Sequence, residues 1–111
     1  MQALRRRSEF EQVFASGKFA QGRCLALRYL LRGEAPTRVG FAVGKRLDKR
    51  AVVRNRVRRQ LRSAIRDVPV RAGYDIVVLA RRAALGADFT VLKADVRAVF
   101  SKAALLEGEE G

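Results

Sequence analysis

The sequence of 111 residues contains no histidine and no tryptophan, and it has a single cysteine. Without histidine, the chain lacks the side chain that most often serves as a general base or a metal ligand near neutral pH. With only Cys24, neither an intramolecular disulfide nor a zinc cluster can form, which is typical of proteins in a reducing compartment. We therefore expect a cytoplasmic protein without a metal site of its own.

Acidic residues are also scarce, with 11 Asp and Glu against 24 Lys and Arg, and the net charge is +13. Apart from Glu109 and Glu110, the acids are scattered singly, so they do not form the carboxylate cluster that a metal-dependent nuclease needs to hold Mg²⁺. A glycine-rich phosphate loop followed by Lys and Ser or Thr is absent as well. We therefore predict no catalytic residue in this polypeptide.

Long apolar segments are missing too, so no membrane-spanning segment is predicted, and the basic amino terminus lacks the apolar run of a secretory signal. Apolar residues still make up 49% of the chain, which predicts a folded core. The length predicts a single domain over residues 1–111. Its ends, a basic arm at residues 1–7 and an acidic tail at residues 105–111, are predicted to be flexible.

Arginine is abundant instead, and its densest run lies on a predicted helix at residues 51–67. At about 100° per residue, this helix has one apolar stripe, formed by Val53, Val57, Leu61, Ala64 and Ile65. Its other side carries Arg54, Asn55, Arg56, Arg58, Arg59, Arg62 and Arg66. Like charges four residues apart repel by a few tenths of a kcal/mol per pair, so stability does not explain this pattern. It predicts a surface that binds a polyanion, and nucleic acid in particular.

Three further stretches read as strands: residues 23–32, 37–44 and 74–81. The first two are joined by a short turn and predict an antiparallel hairpin, which residues 18–20 extend by another strand. Residues 74–81 are almost continuously apolar and predict a central strand buried on both sides.

A first helix is predicted from a capping box, with Ser8 as the N-cap and Glu11 reaching back to it. Phe10 and Phe14 share one apolar face of this helix. Two interpretations remain open for these rings, since they either belong to the core or stack on bases beside a basic groove.

A last helix is predicted after Asp88, its expected N-cap, with an apolar stripe from Phe89 to Ala103. The order of helices and strands predicts an α+β domain with one sheet and helices packed against it.

Residues 38–46 (RVGFAVGKR), followed by residues 51–62 (AVVRNRVRRQLR), closely resemble the protein subunit of bacterial ribonuclease P. The hallmark of that family is an Arg-Asn-Arg segment, here residues 54–56, after a Val-Gly-Phe-x-Val-x-Lys strand. The resemblance covers nearly the whole chain. It implies a two-layer α/β sandwich of order α-β-β-β-α-β-α, in which a left-handed β-α-β crossover carries the Arg-Asn-Arg helix.

The resemblance also implies a function. In this family a catalytic RNA performs the chemistry of an endoribonuclease, and the protein binds that RNA and the 5′ leader of precursor tRNA. It assists removal of the leader, which gives the mature 5′ end of the tRNA. Mg²⁺ is implied for the holoenzyme and is held mainly by the RNA. No membrane and no obligate protein partner are implied.

Matching positions imply two sets of binding residues. The ribonuclease P RNA is expected to contact Lys45, Arg46, Arg54, Asn55, Arg56, Arg58, Arg59, Arg62 and Arg66. The groove for the leader, with the sheet as its floor, is expected to contain Phe10, Phe14, Arg28 and Phe41. The sequence departs from the family at Arg28, where an aromatic side chain is often found, and at residues 47–50, a loop about one residue longer than usual without the customary glycine.

An alternative function is that of a ribosomal or RNA-chaperone protein with no role in cleavage. Composition does not separate these two kinds of basic RNA-binding protein, and only the setting of the Arg-Asn-Arg segment favours the first.

Overall fold

The computed structural model describes residues 1–108 and contains five strands and three α-helices. In chain order these are β1 (Gln2–Ala3), α1 (Arg7–Ser16), β2 (Lys18–Gln21), β3 (Leu25–Leu31), β4 (Arg38–Ala42), α2 (Ala51–Ile65), β5 (Tyr74–Ala80) and α3 (Phe89–Lys102). A short 3-10 helix, Arg82–Leu85, precedes α3. The predicted α+β class and the order α-β-β-β-α-β-α are confirmed, with β1 added at the amino terminus.

All the strands form one sheet in the order β1-β4-β5-β3-β2. The central strand is β5, as its two-sided apolar sequence predicts, and it runs parallel to β4 and antiparallel to β3. The predicted hairpin of β3 and β4 is wrong, because β5 lies between these strands. The hairpin is formed instead by β2 and β3, which are antiparallel neighbours. The parallel pair β4 and β5 is connected through α2, so the basic helix lies on a β-α-β crossover.

The helices divide between the two faces of the sheet. Helices α2 and α3 pack on one face, around Leu27, Ile76 and Val78, and α1 packs on the other face through Val13, which lies against Val77. The predicted apolar stripe of α2 is confirmed in full, since its buried residues are Val53, Val57, Leu61, Ala64 and Ile65. Burial of each Val, Leu or Ile contributes roughly 1.5–3 kcal/mol, so this stripe holds α2 down with its arginines turned outward.

The amino-terminal segment is fixed to the sheet, and the prediction of a flexible arm at residues 1–7 is wrong. Strand β1 pairs in parallel with β4, with Ala3 opposite Val39. Leu4 is buried, and its N–H donates to the Val39 carbonyl at 3.0 Å. A strand of two residues is too short to show any periodicity, so the sequence pattern did not reveal it.

The carboxyl-terminal segment is also fixed where a flexible tail was predicted. Leu105 and Leu106 are buried, and the Arg71 N–H donates to the Leu105 carbonyl at 2.8 Å. The predicted acidic tail therefore does not begin at residue 105, while its residues 109–111 lie outside the described part of the chain.

Helix α1 begins two residues earlier than the predicted capping box requires. Arg6, not Ser8, is the N-cap, and the Glu9 carboxylate accepts the Arg6 backbone N–H at 3.0 Å. Glu11 instead forms an exposed ion pair with Arg7 at 3.2 Å. The sequence contains two overlapping acidic positions that suit a cap, and the fold uses the one that also reaches the sheet.

Candidate nucleic-acid interface

The outward side of α2, called here the α2 basic face, consists of Arg54, Asn55, Arg56, Arg58, Arg59, Arg62 and Arg66. Arg54 and Arg58 are half-buried and the others are exposed. Within residues 1–108, none of the ion pairs involves an arginine of α2. Apart from Arg54, which lies near Asp48, the positive charge of this face has no acidic partner among the described residues and is available to a polyanion.

Two contacts on the α2 basic face set the direction of its side chains. The Arg58 guanidinium donates to the Asn55 side-chain oxygen at 2.8 Å. The Arg62 guanidinium lies 5.5 Å from the centre of the Phe41 ring. Side chains that are already oriented lose less conformational entropy when they bind phosphate, which favours a specific contact.

The loop before α2 is held by ion pairs and hydrogen bonds rather than by a glycine. The Asp48 carboxylate accepts the Arg50 backbone N–H at 2.9 Å and pairs with the Arg50 guanidinium at 3.0 Å. The hydrogen bond from the Arg50 side chain lowers the pKa of Asp48 to about 2. Arg54 reaches back from α2 and donates to the Lys49 carbonyl at 2.8 Å. The longer loop is thus a closed turn with fixed geometry.

Lys45 and Arg46 follow the end of β4 and are both exposed. They stand at the start of this loop, so they extend the positive surface beyond the α2 basic face toward the sheet.

A second surface lies on the face of the sheet that α1 covers only in part. Strand register places Phe19, Arg28, Val77 and Gly40 in one row across β2, β3, β5 and β4. Residues paired across strands point to the same face, and Val77 belongs to the small core under α1. The next row on this face is Gln21, Ala26, Leu79 and Ala42.

Helix α1 borders this surface with its two phenylalanines. Phe10 packs over Gly40, where an added Cβ would clash with the ring, so the small residue allows the helix to approach the sheet. Glu9, on one flank of α1, contacts Arg38 at one end of the sheet. Phe14 lies about 140° around α1 from Glu9, so helix geometry places it on the side nearer the row of Ala26, Leu79 and Ala42, and it is 41% exposed. Phe10 therefore packs with the core, while Phe14 is free to contact a ligand.

We call this surface the α1 groove: helix geometry assigns Phe14 to its wall, Ala26, Leu79 and Ala42 share one row of its floor, and Phe19 and Arg28 lie beyond that floor on β2 and β3. Arg28 is half-buried, and its guanidinium lies 5.2 Å from the centre of the Phe19 ring.

Phe41 does not lie in the α1 groove, contrary to the predicted set of leader-binding residues. It pairs with Val78 and points to the face that α2 and α3 cover, beneath Arg62. The reason is strand alternation, because Phe41 is the immediate neighbour of Gly40 and must point the opposite way. Phe10, Phe14 and Arg28 remain together on the α1 side.

The sequence analysis did not identify two residues of this region, Arg5 and Phe19, as candidate binding residues. Arg5 was assigned to a flexible arm, yet with Phe10, Arg58 and Arg62 it lines a cleft at the edge of β4. Phe19 lies on a short strand whose faces the sequence did not distinguish, so no sequence pattern identified it. The cleft matters because it brings two arginines of the α2 basic face, Arg58 and Arg62, next to Phe10 of α1 at the sheet edge.

A partly buried ion-pair network around the buried carboxylate of Asp75 fastens α1 to the sheet. The Arg38 guanidinium donates to both Asp75 carboxylate oxygens, at 2.8 and 2.7 Å, and also to Glu9. Asp75 is only 4% exposed, and Arg32 pairs with it as well at 3.2 Å. The hydrogen bond to Asp75 raises the pKa of Arg38, and the backbone hydrogen bond from Arg6 is the main cause that lowers the pKa of Glu9. These charges position α1 and do not face the groove as free groups.

No group of three or more His, Cys, Asp or Glu side chains that could hold a metal occurs within residues 1–108. Cys24 is buried with a free thiol, and burial raises the pKa of that thiol. In the same part of the chain, no helix has the length and apolar character needed to cross a bilayer.

The fold and these two surfaces define a basic α+β nucleic-acid-binding domain. The sequence model of the family Ribonuclease P matches residues 1–104, and the chain belongs to that family. The ribonuclease P protein component of Symbiobacterium thermophilum is 46% identical over 110 residues, which cover 96% of this chain and 94% of that protein. The ribonuclease P protein component of Thermoanaerobacter sp. strain X514 is 35% identical over 109 residues, with 96% and 93% covered.

Solved structures agree with the fold. The RNase P protein from Staphylococcus aureus superposes with a TM-score of 0.84 at 21% identity, covering 96% of this chain and 99% of that chain. The RNase P protein from Thermotoga maritima gives a TM-score of 0.76 at 25% identity, with 86% and 92% covered. The α+β class and the order of helices and strands that the resemblance implies are thereby confirmed.

Proposed function

We propose that this chain is the protein subunit of a ribonuclease P ribonucleoprotein. In this proposal the α2 basic face, with Lys45 and Arg46 beside it, binds the ribonuclease P RNA. The α1 groove binds the 5′ leader of precursor tRNA, and the protein assists the endonucleolytic removal of that leader. The RNA subunit supplies the chemistry, which agrees with the lack of histidine in the chain. Family membership over residues 1–104 supports the proposal.

The observation that supports the proposal is that the α2 basic face reaches the edge of the sheet beside α1, where Arg58 and Arg62 line one cleft with Phe10. Exposed arginines without acidic partners suit the phosphates of a folded RNA. A groove with an exposed aromatic wall and a flat apolar floor suits unpaired bases. A complex that combines folded RNA with a single-stranded extension would occupy both.

Mg²⁺ belongs to the holoenzyme in this proposal and is held mainly by RNA. Glu9, Asp48 and Asp75 each pair with an arginine, so these carboxylates do not offer the oxygen ligands that Mg²⁺ needs. We also propose a cytoplasmic location, with which the unpaired thiol of Cys24 is consistent. No obligate protein partner is part of the proposal.

Reconstitution tests this function. A ribonuclease P RNA is first folded at high Mg²⁺, then diluted to low Mg²⁺ with or without the protein, and cleavage of a precursor tRNA is measured. We expect the protein to stimulate cleavage of the precursor tRNA by the prefolded ribonuclease P RNA. We expect the protein alone to cleave nothing. Prefolding removes any benefit of an RNA chaperone, so a protein with only that activity would give no stimulation, and this result would contradict the proposal.

A pair of arginine variants serves as the control for this assay. Arg59→Ala on the α2 basic face should require more protein for half-maximal stimulation, because a phosphate contact is lost. Arg97→Ala removes an equally exposed arginine from α3 and should leave the titration unchanged. Equal effects of both variants would mean that overall charge, not the α2 basic face, determines binding.

A further inference from the structure

We propose that Phe19 and Arg28 form a stacking pair for one unpaired base of the leader, at the far side of the α1 groove from Phe14. This inference rests on the proposed function of the groove and adds a base-binding position to it. It concerns the hairpin of β2 and β3, which no predicted binding residue other than Arg28 occupies.

The first support is the geometry of the pair. Phe19 and Arg28 are direct partners in the β2–β3 register, so both side chains rise from the same face of the sheet. The guanidinium carbon of Arg28 lies 5.2 Å from the centre of the Phe19 ring, within the range of a cation–π contact. On the other side of Arg28, the same row continues to Val77, which α1 covers. The stacking pair therefore lies between the part of the sheet under α1 and the β2 edge of the sheet.

The second support is exposure. Phe19 is 50% exposed, and the buried residue of β2 is Ala20, so the ring is not required to fill the core. Phe14 is 41% exposed on the flank of α1 that faces the same side of the sheet. Two exposed aromatic rings and a guanidinium therefore border one groove in a protein with a net charge of +13.

The chemistry of such a pair fits an unpaired base. Bases of single-stranded RNA stack on aromatic rings and on guanidinium planes, and both are present here in contact. The guanidinium also keeps its N–H donors, which can bond a phosphate or a base edge. A base stacked at this position would lie across the floor from Phe14, so the leader would be held from both sides of the groove.

The test compares binding of two RNAs to the reconstituted holoenzyme: a precursor tRNA with its leader and the same tRNA without it. Phe19→Ala should weaken binding of the precursor by about 5- to 150-fold, the range for losing one base–aromatic stack, and should leave binding of the leaderless tRNA unchanged. The dependence of precursor binding on salt should stay the same, because stacking releases no counterions.

Phe89→Ala is the matched control. Phe89 is 43% exposed and has Lys93 at 5.9 Å from its ring, but it lies on α3, on the other face of the sheet. Removing it deletes a similar ring with a similar cation contact and should not change the preference for the leader. An equal loss with both variants would overturn the inference.

Two further variants separate stacking from folding. Phe19→Tyr keeps a ring at the position and should bind the precursor as the unaltered protein does. The double variant Phe19→Ala with Arg28→Tyr moves the ring one strand inward along the same row and should recover most of the lost affinity. The stacking role would be overturned if both variants kept the melting temperature of the unaltered protein and still bound the precursor as weakly as Phe19→Ala does.

The outcomes also distinguish this inference from the proposed function. If the unaltered holoenzyme binds both RNAs equally, leader binding itself is refuted. If it prefers the precursor and Phe19→Ala preserves that preference, the groove stands as proposed and the stacking pair alone is refuted.

Discussion

Replacing Arg59 by Ala should weaken RNA binding by an amount that depends strongly on salt. Arg59 is exposed in the middle of α2 and takes part in no ion pair within residues 1–108. Its removal leaves no buried group without a partner, so the free energy of unfolding should change by less than about 0.5 kcal/mol. Any loss of affinity can then be attributed to the RNA contact.

The size of the effect follows from counterion release. One lost phosphate contact lowers the slope of log affinity against log salt by about 0.7–0.9. At 0.1 M salt this corresponds to a loss of about 5- to 8-fold, or roughly 1.0–1.2 kcal/mol, and at 0.5 M salt to a loss of less than about twofold. The variant and the unaltered protein should therefore become nearly equal in binding as salt rises.

Fluorescence anisotropy with a labelled ribonuclease P RNA, at several salt concentrations, measures this slope directly. Arg97→Ala is the control, and Arg54→Ala is an informative contrast. Arg54 also donates to the Lys49 carbonyl at 2.8 Å, so its loss should lower thermal stability as well as affinity. A loss for Arg59→Ala that is the same at 0.1 and 0.5 M salt would refute the electrostatic reasoning for the α2 basic face.

Three further variants probe the α1 groove and its support. Phe14→Ala should cost about 1–3 kcal/mol in binding of a leader-bearing precursor, with the salt slope and the melting temperature little changed; a large fall in melting temperature would instead assign Phe14 to the core. Arg38→Gln should reduce the free energy of unfolding, measured in urea, by about 1–3 kcal/mol, less than for breaking a fully buried pair, because Arg38 is partly exposed and Asp75 keeps a second arginine partner; an unchanged midpoint would show that the network does not hold the fold. Gly40→Ala should cost about 1–3 kcal/mol and weaken leader binding as well, because the added Cβ displaces Phe10 and with it α1; normal leader binding in a destabilised Gly40→Ala variant would mean that α1 does not form the groove wall.

Helix α2 was predictable because its pattern is local. The burial of every third or fourth residue, from Val53 to Ile65, and the arginines between them depend only on the helical period. The same holds for β5, whose apolar run from Tyr74 to Ala80 required cover on both faces. The α2 basic face could therefore be defined before any coordinates.

Strand pairing was not predictable in this way, because it is decided by segments far apart in the chain. The expected hairpin of β3 and β4 does not form, because β5 lies between these strands and pairs with both. In the chain, β5 comes after β4 and α2. A short turn permits a hairpin but does not exclude the insertion of a later strand that buries more apolar surface on both sides.

The sequence by itself determined that this protein has an arginine-covered helix and an apolar central strand, because composition and short-range periodicity carry that information. Only the tertiary structure decided which side chains share a surface. It pointed Phe41 to the face that α2 covers, brought Arg5 to the sheet edge and placed Phe19 beside Arg28. The physical reason is that a face of a sheet is built from several strands, so its membership depends on register between distant segments, which no local pattern contains.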